Sequence, residues 1–265
     1  MKTKSRIESI INTASLGSSI SAFQTFNLSE LDLQDDFTFT LPTNIRLGHL
    51  VEKIVSEAIK ISSNYNVLYE NIQLLEDKIT IGEIDFIVEH IKTKKLTHLE
   101  LAYKFYLLDP SISKEQTHNW IGPNRNDTLQ NKLEKLKSKQ FPLLQSDAAA
   151  NAFHEINTSK VSQALCLLAS LFLPFDYKGD IEPDFKKAIK GYYINFQAFN
   201  KLDHSSKSYY IPSKKEWGMD PKKNEKWINF VEIEQQLRSS LEKKQSVLFW
   251  ENNNGVFATN FIVWW

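Results

Sequence analysis

The sequence predicts a mixed α/β fold of the α+β kind, and three observations predict it. Apolar residues recur at helical spacing through Leu47, Leu50, Val51, Ile54, Val55, Ala58 and Ile61. Three strand-like segments, Val67–Leu75, Ile79–Val88 and Leu96–Leu107, follow at close intervals. After them come a lysine-rich stretch with leucines at helical spacing and then an apolar run, Val161–Phe175. The expected order is helix, three-strand meander, helix and strand, giving a mixed central sheet flanked by helices, with a C-terminal elaboration.

A chain of 265 residues fits one core with additions, since single cores stop growing near ~250–300 residues. We divide it into a wrapping segment 1–40, a core 41–178 and an elaboration 179–265 packed on the same core. The 42% hydrophobic and 24% charged contents are those of a globular chain, and 17 Phe with 9 Tyr supply large interior side chains. Lys plus Arg and Asp plus Glu both number 32, so no net field draws the chain to nucleic acid or to an anionic membrane. Any nucleic-acid contact is therefore local. The single cysteine, Cys166, excludes an intramolecular disulfide and a cysteine-based zinc site, and fits a reducing cytoplasm. The run Ala164–Phe175 is too short to cross a bilayer, which takes roughly 20 residues, and Pro174 breaks it. A cytoplasmic protein without a membrane segment is expected, and nothing in the pattern sets an oligomeric state.

Taken in order, Ile7–Ser15 reads as a short helix, followed by an acidic stretch with Glu30, Asp32, Asp35 and Asp36. Thr43 and Asn44 are competent to cap the helix that starts at Leu47. Turn-forming groups near Asp77 and at Lys92–Lys95 separate the three strands, so an antiparallel meander is the simple reading. A loop with Trp120, Gly122 and Pro123 leads to Asn126 or Asp127, either of which can cap a helix bearing Leu129, Leu133 and Leu136. Val161–Phe175 suits helix or strand by periodicity, and a buried strand is favoured. Beyond Pro183 the chain is aromatic and basic, then predicts a helix at Trp227–Lys244 and strands at Ser246–Glu251 and Val256–Trp265.

The chemistry concentrates on two strands. From His98 to Leu107 apolar and other residues alternate, so a strand places one set in the core and lines up Glu100, Ala102 and Lys104 on the other face. In Gly82-Glu83-Ile84-Asp85-Phe86, Glu83 and Asp85 share a face, and Gly82 allows a bulge or a close approach. A turn centred near Lys92 or Thr93 sets Asp85 opposite a residue between Glu100 and Ala102. Asp85 and Glu100 would then suit a hard cation such as Mg²⁺ or Mn²⁺, with Lys104 orienting a water or stabilising charge on a phosphate. That is the chemistry of phosphodiester hydrolysis. A solvated or salt-bridged sheet face carries the same groups without chemistry.

These residues resemble the PD-(D/E)XK nuclease superfamily, and so imply a restriction-endonuclease-like core. Most of the chain also resembles a bacterial family, domain of unknown function 1853, through Arg46-Leu47-Gly48 with Glu52, Gly82 to Phe86, Glu100 to Tyr106, and Trp120 to Asn124 with Asp127 and Lys132. The superfamily resemblance implies that Asp85 is the first metal ligand, Lys104 the lysine and Glu52 an accessory acid. It departs from the pattern at Ala102, where an acid usually stands two positions before the lysine. Glu100 lies one alternate step further along, roughly 6–7 Å away, and Glu83 or a bulge offers compensation.

Around this centre, Glu52 is either a rim residue or an arm of the acidic cluster, and Arg46 and His49 are either capping groups or its neighbours. Trp120 and Asn124 either line a substrate or anchor their loop, and Arg125 and Lys132 belong to a basic, lysine-rich helix that tracks phosphates or is simply solvated. The expected function is a metal-dependent phosphodiesterase acting on nucleic acid. The alternative is a catalytically inactive binding or scaffold protein on the same fold.

Overall fold

The computed structural model describes residues 3–33 and 38–265. Asp35 and Asp36 of the expected acidic stretch lie outside the described residues. In chain order the strands are β1 (Gln24–Thr25), β2 (Tyr65–Glu76), β3 (Ile79–His90), β4 (Leu96–Leu108), β5 (Trp120–Ile121), β6 (Ser162–Pro174), β7 (Ile189–Asn195), β8 (Lys207–Tyr210), β9 (Val247–Asn253) and β10 (Val256–Val263). The α-helices are α1 (Thr3–Ile11), α2 (Ser18–Ser21), α3 (Leu47–Ile61), α4 (Leu129–Lys135), α5 (Asp147–Ala152), α6 (Pro183–Lys186), α7 (Phe196–Phe199) and α8 (Phe230–Glu242). The fold is mixed α/β, as expected.

Contacts divide the chain into two compact units. One comprises Met1–Ser9, Phe105–Gln130 and Ala169–Trp265, and the other Ile10–Lys104 and Asn131–Leu168. The division is not linear along the sequence, and β4 and β6 each contribute residues to both units.

In the unit built on Ile10–Lys104, β2, β3 and β4 form the expected antiparallel meander. The β3–β4 ladder pairs Glu89 with Leu96 and Phe86 with Leu99, so its turn centres between Lys92 and Thr93. β6 neighbours β4, which makes the apolar run a buried strand, and β1 pairs with it in parallel. The helical stripe of α3 behaves as its spacing dictates, with Leu50, Val51, Ile54, Val55, Ala58 and Ile59 buried. Its N-cap is Arg46 and carries no side-chain bond, so Thr43 and Asn44 precede the cap rather than supply it. The first helix is displaced from the expected Ile7–Ser15, because Ser15 leaves it to bridge Leu168.

Leu74, Ile84 and Ile87 meet Leu144, Ala149 and Phe153 in this unit's core. Gly82 lets that packing close: a Cβ there would lie 2.3 Å from Leu143 Cδ1. One expectation fails at β4. The alternation predicts one buried and one open face, yet His98, Glu100 and Ala102 are buried as well as Leu99 and Leu101. The strand sits between β3 and β6, and Phe141 covers the second face with its ring 5.2 Å from His98.

In the other unit, β7 pairs in parallel with the end of β6 and with β10, while β10–β9 and β9–β8 are antiparallel. β7 lies so near β10 that a Cβ on Gly191 would stand 1.9 Å from the Thr259 carbonyl oxygen. Phe199, Tyr209, Ile233, Leu237, Phe249 and Ile262 build the core. α8 begins at Phe230 instead of Trp227, because Asn229 closes a capping box with Glu232 and Ile228 is held in a bridge to Tyr209. Among the described residues no helix is long and apolar enough to cross a membrane.

Candidate functional site

The site grows from the place where the β3–β4 ladder ends, at Phe86 and Leu99. One further step after Phe86 and Leu99 would set Asp85 opposite Glu100. There the carboxylate substitutes for a backbone acceptor: Asp85 Oδ2 accepts the Leu101 N–H at 2.9 Å. Asp85 is half-buried, whereas Glu100, on the enclosed strand, is wholly buried.

A buried carboxylate is tolerated only when its oxygens are satisfied. Glu100 Oε1 lies 2.9 Å from His98 Nε2, two residues away on the same strand face. Glu100 Oε2 accepts from Gln140 Nε2 at 2.6 Å. Gln140 Oε1 in turn accepts from Lys132 Nζ at 2.9 Å. A continuous chain of hydrogen bonds thus runs from Lys132 through Gln140 and Glu100 to His98. His98 Nδ1 is buried and takes no partner among the described residues, so the tautomer that fits has its proton on Nε2, donated to Glu100.

Local backbone chemistry explains how Gln140 arrives. α4 does not continue as an α-helix but opens into a π-helical turn over Leu136–Gln140 and then a 3₁₀ turn over Phe141–Gln145. The wider turn changes the angular step between residues and re-aims side chains, which is why such turns recur at functional positions. Leu136, which opens this turn, and Phe141, which follows it, are both buried.

Charge links further groups to this chain. Burial pushes the Asp85 carboxyl up to about 7, the Glu100 charge adds to the rise, and Glu52 adds less, while the Leu101 N–H and the Lys132 ammonium oppose it. Burial lowers the proton affinity of Lys132 as well; Glu100 and Asp85 pull it back up, and Lys104 and Lys135 push it down. Glu52, Asp85, Glu100, Lys104 and Lys132 therefore share one electrostatic neighbourhood within one unit. Glu52 extends from α3, and its Oε2 lies 3.0 Å from His49 Nδ1. Glu83 stands two residues before Asp85, opposite Gln73 of β2.

Trp120, Asn124 and Arg125 belong to the other unit and are engaged there. Trp120 is buried against Phe185, with ring centroids 5.2 Å apart. Asn124 Oδ1 accepts the Ser246 N–H at 2.8 Å. Arg125 pairs with Asp109 at 3.1 Å and lies over the Trp265 ring. These contacts anchor the loop to the start of β9 and to the C-terminal tryptophan.

The model of one family, Domain of unknown function (DUF1853), matches residues 8–255. The chain belongs to that family. No curated protein and no solved structure matches it.

In this DUF1853 chain the donors set limits on a metal. Hard divalent cations take oxygen ligands, and Mg²⁺ keeps several waters while using one or two carboxylates with substrate phosphates. Both Glu100 oxygens are engaged by His98 and Gln140, and among the described residues no group of three or more His, Cys, Asp or Glu gathers to hold an ion. Among the described residues these donors make no ready-made cage for an ion stripped of its water. His98 and Gln140 escape a reading of the sequence alone. A single histidine and a single glutamine carry no spacing signal, although the alternation of His98 with Glu100 places both on one face.

Proposed function

We infer that this protein cleaves phosphodiester bonds in nucleic acid, using the group centred on Asp85. The observation that carries the reading is the Asp85 carboxylate bound to the Leu101 N–H where the β3–β4 ladder ends, beside the chain that links Lys132 through Gln140 to Glu100. A strongly perturbed carboxyl with named charged neighbours marks a candidate functional site, because burying such a set costs stability that plain packing does not require. The order α3, β2–β3–β4, α4, β6 supports a restriction-endonuclease-like arrangement of the core and the PD-(D/E)XK kinship that the sequence resembles.

In this reading Asp85 accepts the proton of an attacking water or holds the hydrated Mg²⁺ or Mn²⁺ that the water belongs to. Lys104 and Lys132 stabilise the negative charge that develops on the phosphate. When bound, the cation lowers the proton affinity of its water and polarises the phosphoryl oxygen. Glu100 is fixed by its two partners and acts as a stationary anion. Recognition of the phosphate backbone stays local to these lysines, consistent with a chain of zero formal charge.

The test is cleavage of single- and double-stranded DNA and of RNA, with Mg²⁺ or Mn²⁺ and with a chelator, by the wild type, Asp85→Asn and Lys104→Ala. Loss of about 100-fold or more in both variants is the expected result. Equal cleavage by all three proteins would remove these residues from the reaction. The enclosure of Glu100 and the buried Ala102 favour one second reading, a non-catalytic nucleic-acid-binding member of the same fold. It is the outcome if fluorescence anisotropy detects binding where no product forms.

A further inference from the structure

We propose that Gln140 is a positioning residue: its carboxamide bridges the Lys132 ammonium and the Glu100 carboxylate, so that cation and anion act from fixed places. The distances carry the claim, 2.9 Å from Lys132 Nζ to Gln140 Oε1 and 2.6 Å from Gln140 Nε2 to Glu100 Oε2. An amide suits this bridge because it accepts from an ammonium at one end and donates to a carboxylate at the other. A carboxylate at the same position would repel Glu100, and an amine would repel Lys132.

Three features distinguish Gln140 from a surface glutamine that happens to lie nearby. It occupies the last position of the π-helical turn Leu136–Gln140, a wider turn that occurs rarely and mostly as a single bulge in an α-helix. Its acceptor, Glu100, is wholly buried and so has no water to replace a lost donor. The other oxygen of Glu100 is engaged by His98, so the carboxylate is clamped from both sides and cannot turn toward another donor. Without the bridge, the long lysine side chain regains its rotamer freedom, and its ammonium no longer has one address.

The proposal rests on the phosphodiester-cleaving reading only for its kinetic arm. In a spectroscopic arm, the side-chain amide protons of Gln140 are followed by NMR in the wild type, Lys132→Met and Glu100→Gln. A slowly exchanging, downfield proton that moves in both variants is expected. A wild-type Gln140 signal like those of exposed glutamines overturns the proposal. Glu100→Gln keeps the shape of the side chain, and circular dichroism shows whether each variant is folded.

In the kinetic arm, kcat is measured for Lys132→Met, Gln140→Met and the double variant. Each single change is expected to lower kcat about 10- to 100-fold at constant KM, and the double variant to be no slower than Lys132→Met alone. Losses that multiply show that the two side chains act independently and overturn the bridge. Where the wild type cleaves nothing, the cleavage reading falls, and the NMR arm alone decides for or against the bridge.

Discussion

Asp85 and Leu101 are joined by a side-chain bond at the place where the β3–β4 ladder gives way, with Oδ2 accepting the Leu101 N–H at 2.9 Å. The bond fixes the carboxylate beside Glu100 and ties its protonation to the stability of the fold.

In chelator-containing buffer, stability should therefore fall as pH rises from about 4 to about 7. The unfolded Asp85 carboxyl releases its proton near its ordinary value of 3.8, whereas the folded one keeps it up to about 7. The contribution is fully present below the lower value and lost as pH passes the upper one. Asp85→Asn should remove that part of the slope, which thermal unfolding at pH 5 and pH 8 would reveal as a smaller difference between the two temperatures. An unchanged slope would place the titrating group elsewhere.

Gly82→Ala should destabilise the protein by about 1–3 kcal/mol, since its new methyl would meet Leu143 at a distance no real contact has. Trimming the neighbour, in Gly82→Ala with Leu143→Ala, should recover part of the loss. Urea unfolding of both single variants and the double variant gives the coupling; simple addition of the two losses would mean that Leu143 turns aside without cost.

Asn229→Ala should cost about 1 kcal/mol, because the capping box at the start of α8 satisfies two backbone donors reciprocally. Equilibrium denaturation reads this directly. Asn229→Asp should be close to neutral, as aspartate caps as well as asparagine.

Cys166 should resist thiol reagents in the folded state. It is wholly buried on β6, and burial alone pushes its thiol up to about 12, leaving almost no thiolate at neutral pH. Labelling that begins only in denaturant is expected, and rapid labelling of native protein would contradict the packing of β6.

Much of this was legible in the amino-acid order. The stripe Leu50, Val51, Ile54, Val55 and Ala58 is a local pattern, and so is the alternation that brings Asp85 toward Glu100. β7 and β8 were not legible: they are short, Gly191 interrupts one of them, and the parallel pairing of β7 with β6 and β10 joins residues far apart in sequence. The enclosure of β4 was hidden for a related reason, since Phe141 and Gln140, which cover His98 and Glu100, come from turns some 40 residues later. The π-helical turn leaves no mark in composition. Leu129, Leu133 and Leu136 read as one continuous helix, but the change of pitch begins at the last of them.

The interleaving of the two units bears on how either of them could be isolated or completed. The backbone passes between them at Ser9 to Ile10, Lys104 to Phe105, Gln130 to Asn131 and Leu168 to Ala169. No continuous fragment encodes one of them whole, so a single protease nick cannot liberate either. During synthesis the unit carrying Asp85 has all its residues once Leu168 has emerged, while the other still awaits Ala169–Trp265. Ribosomal order thus allows the acidic centre to assemble first.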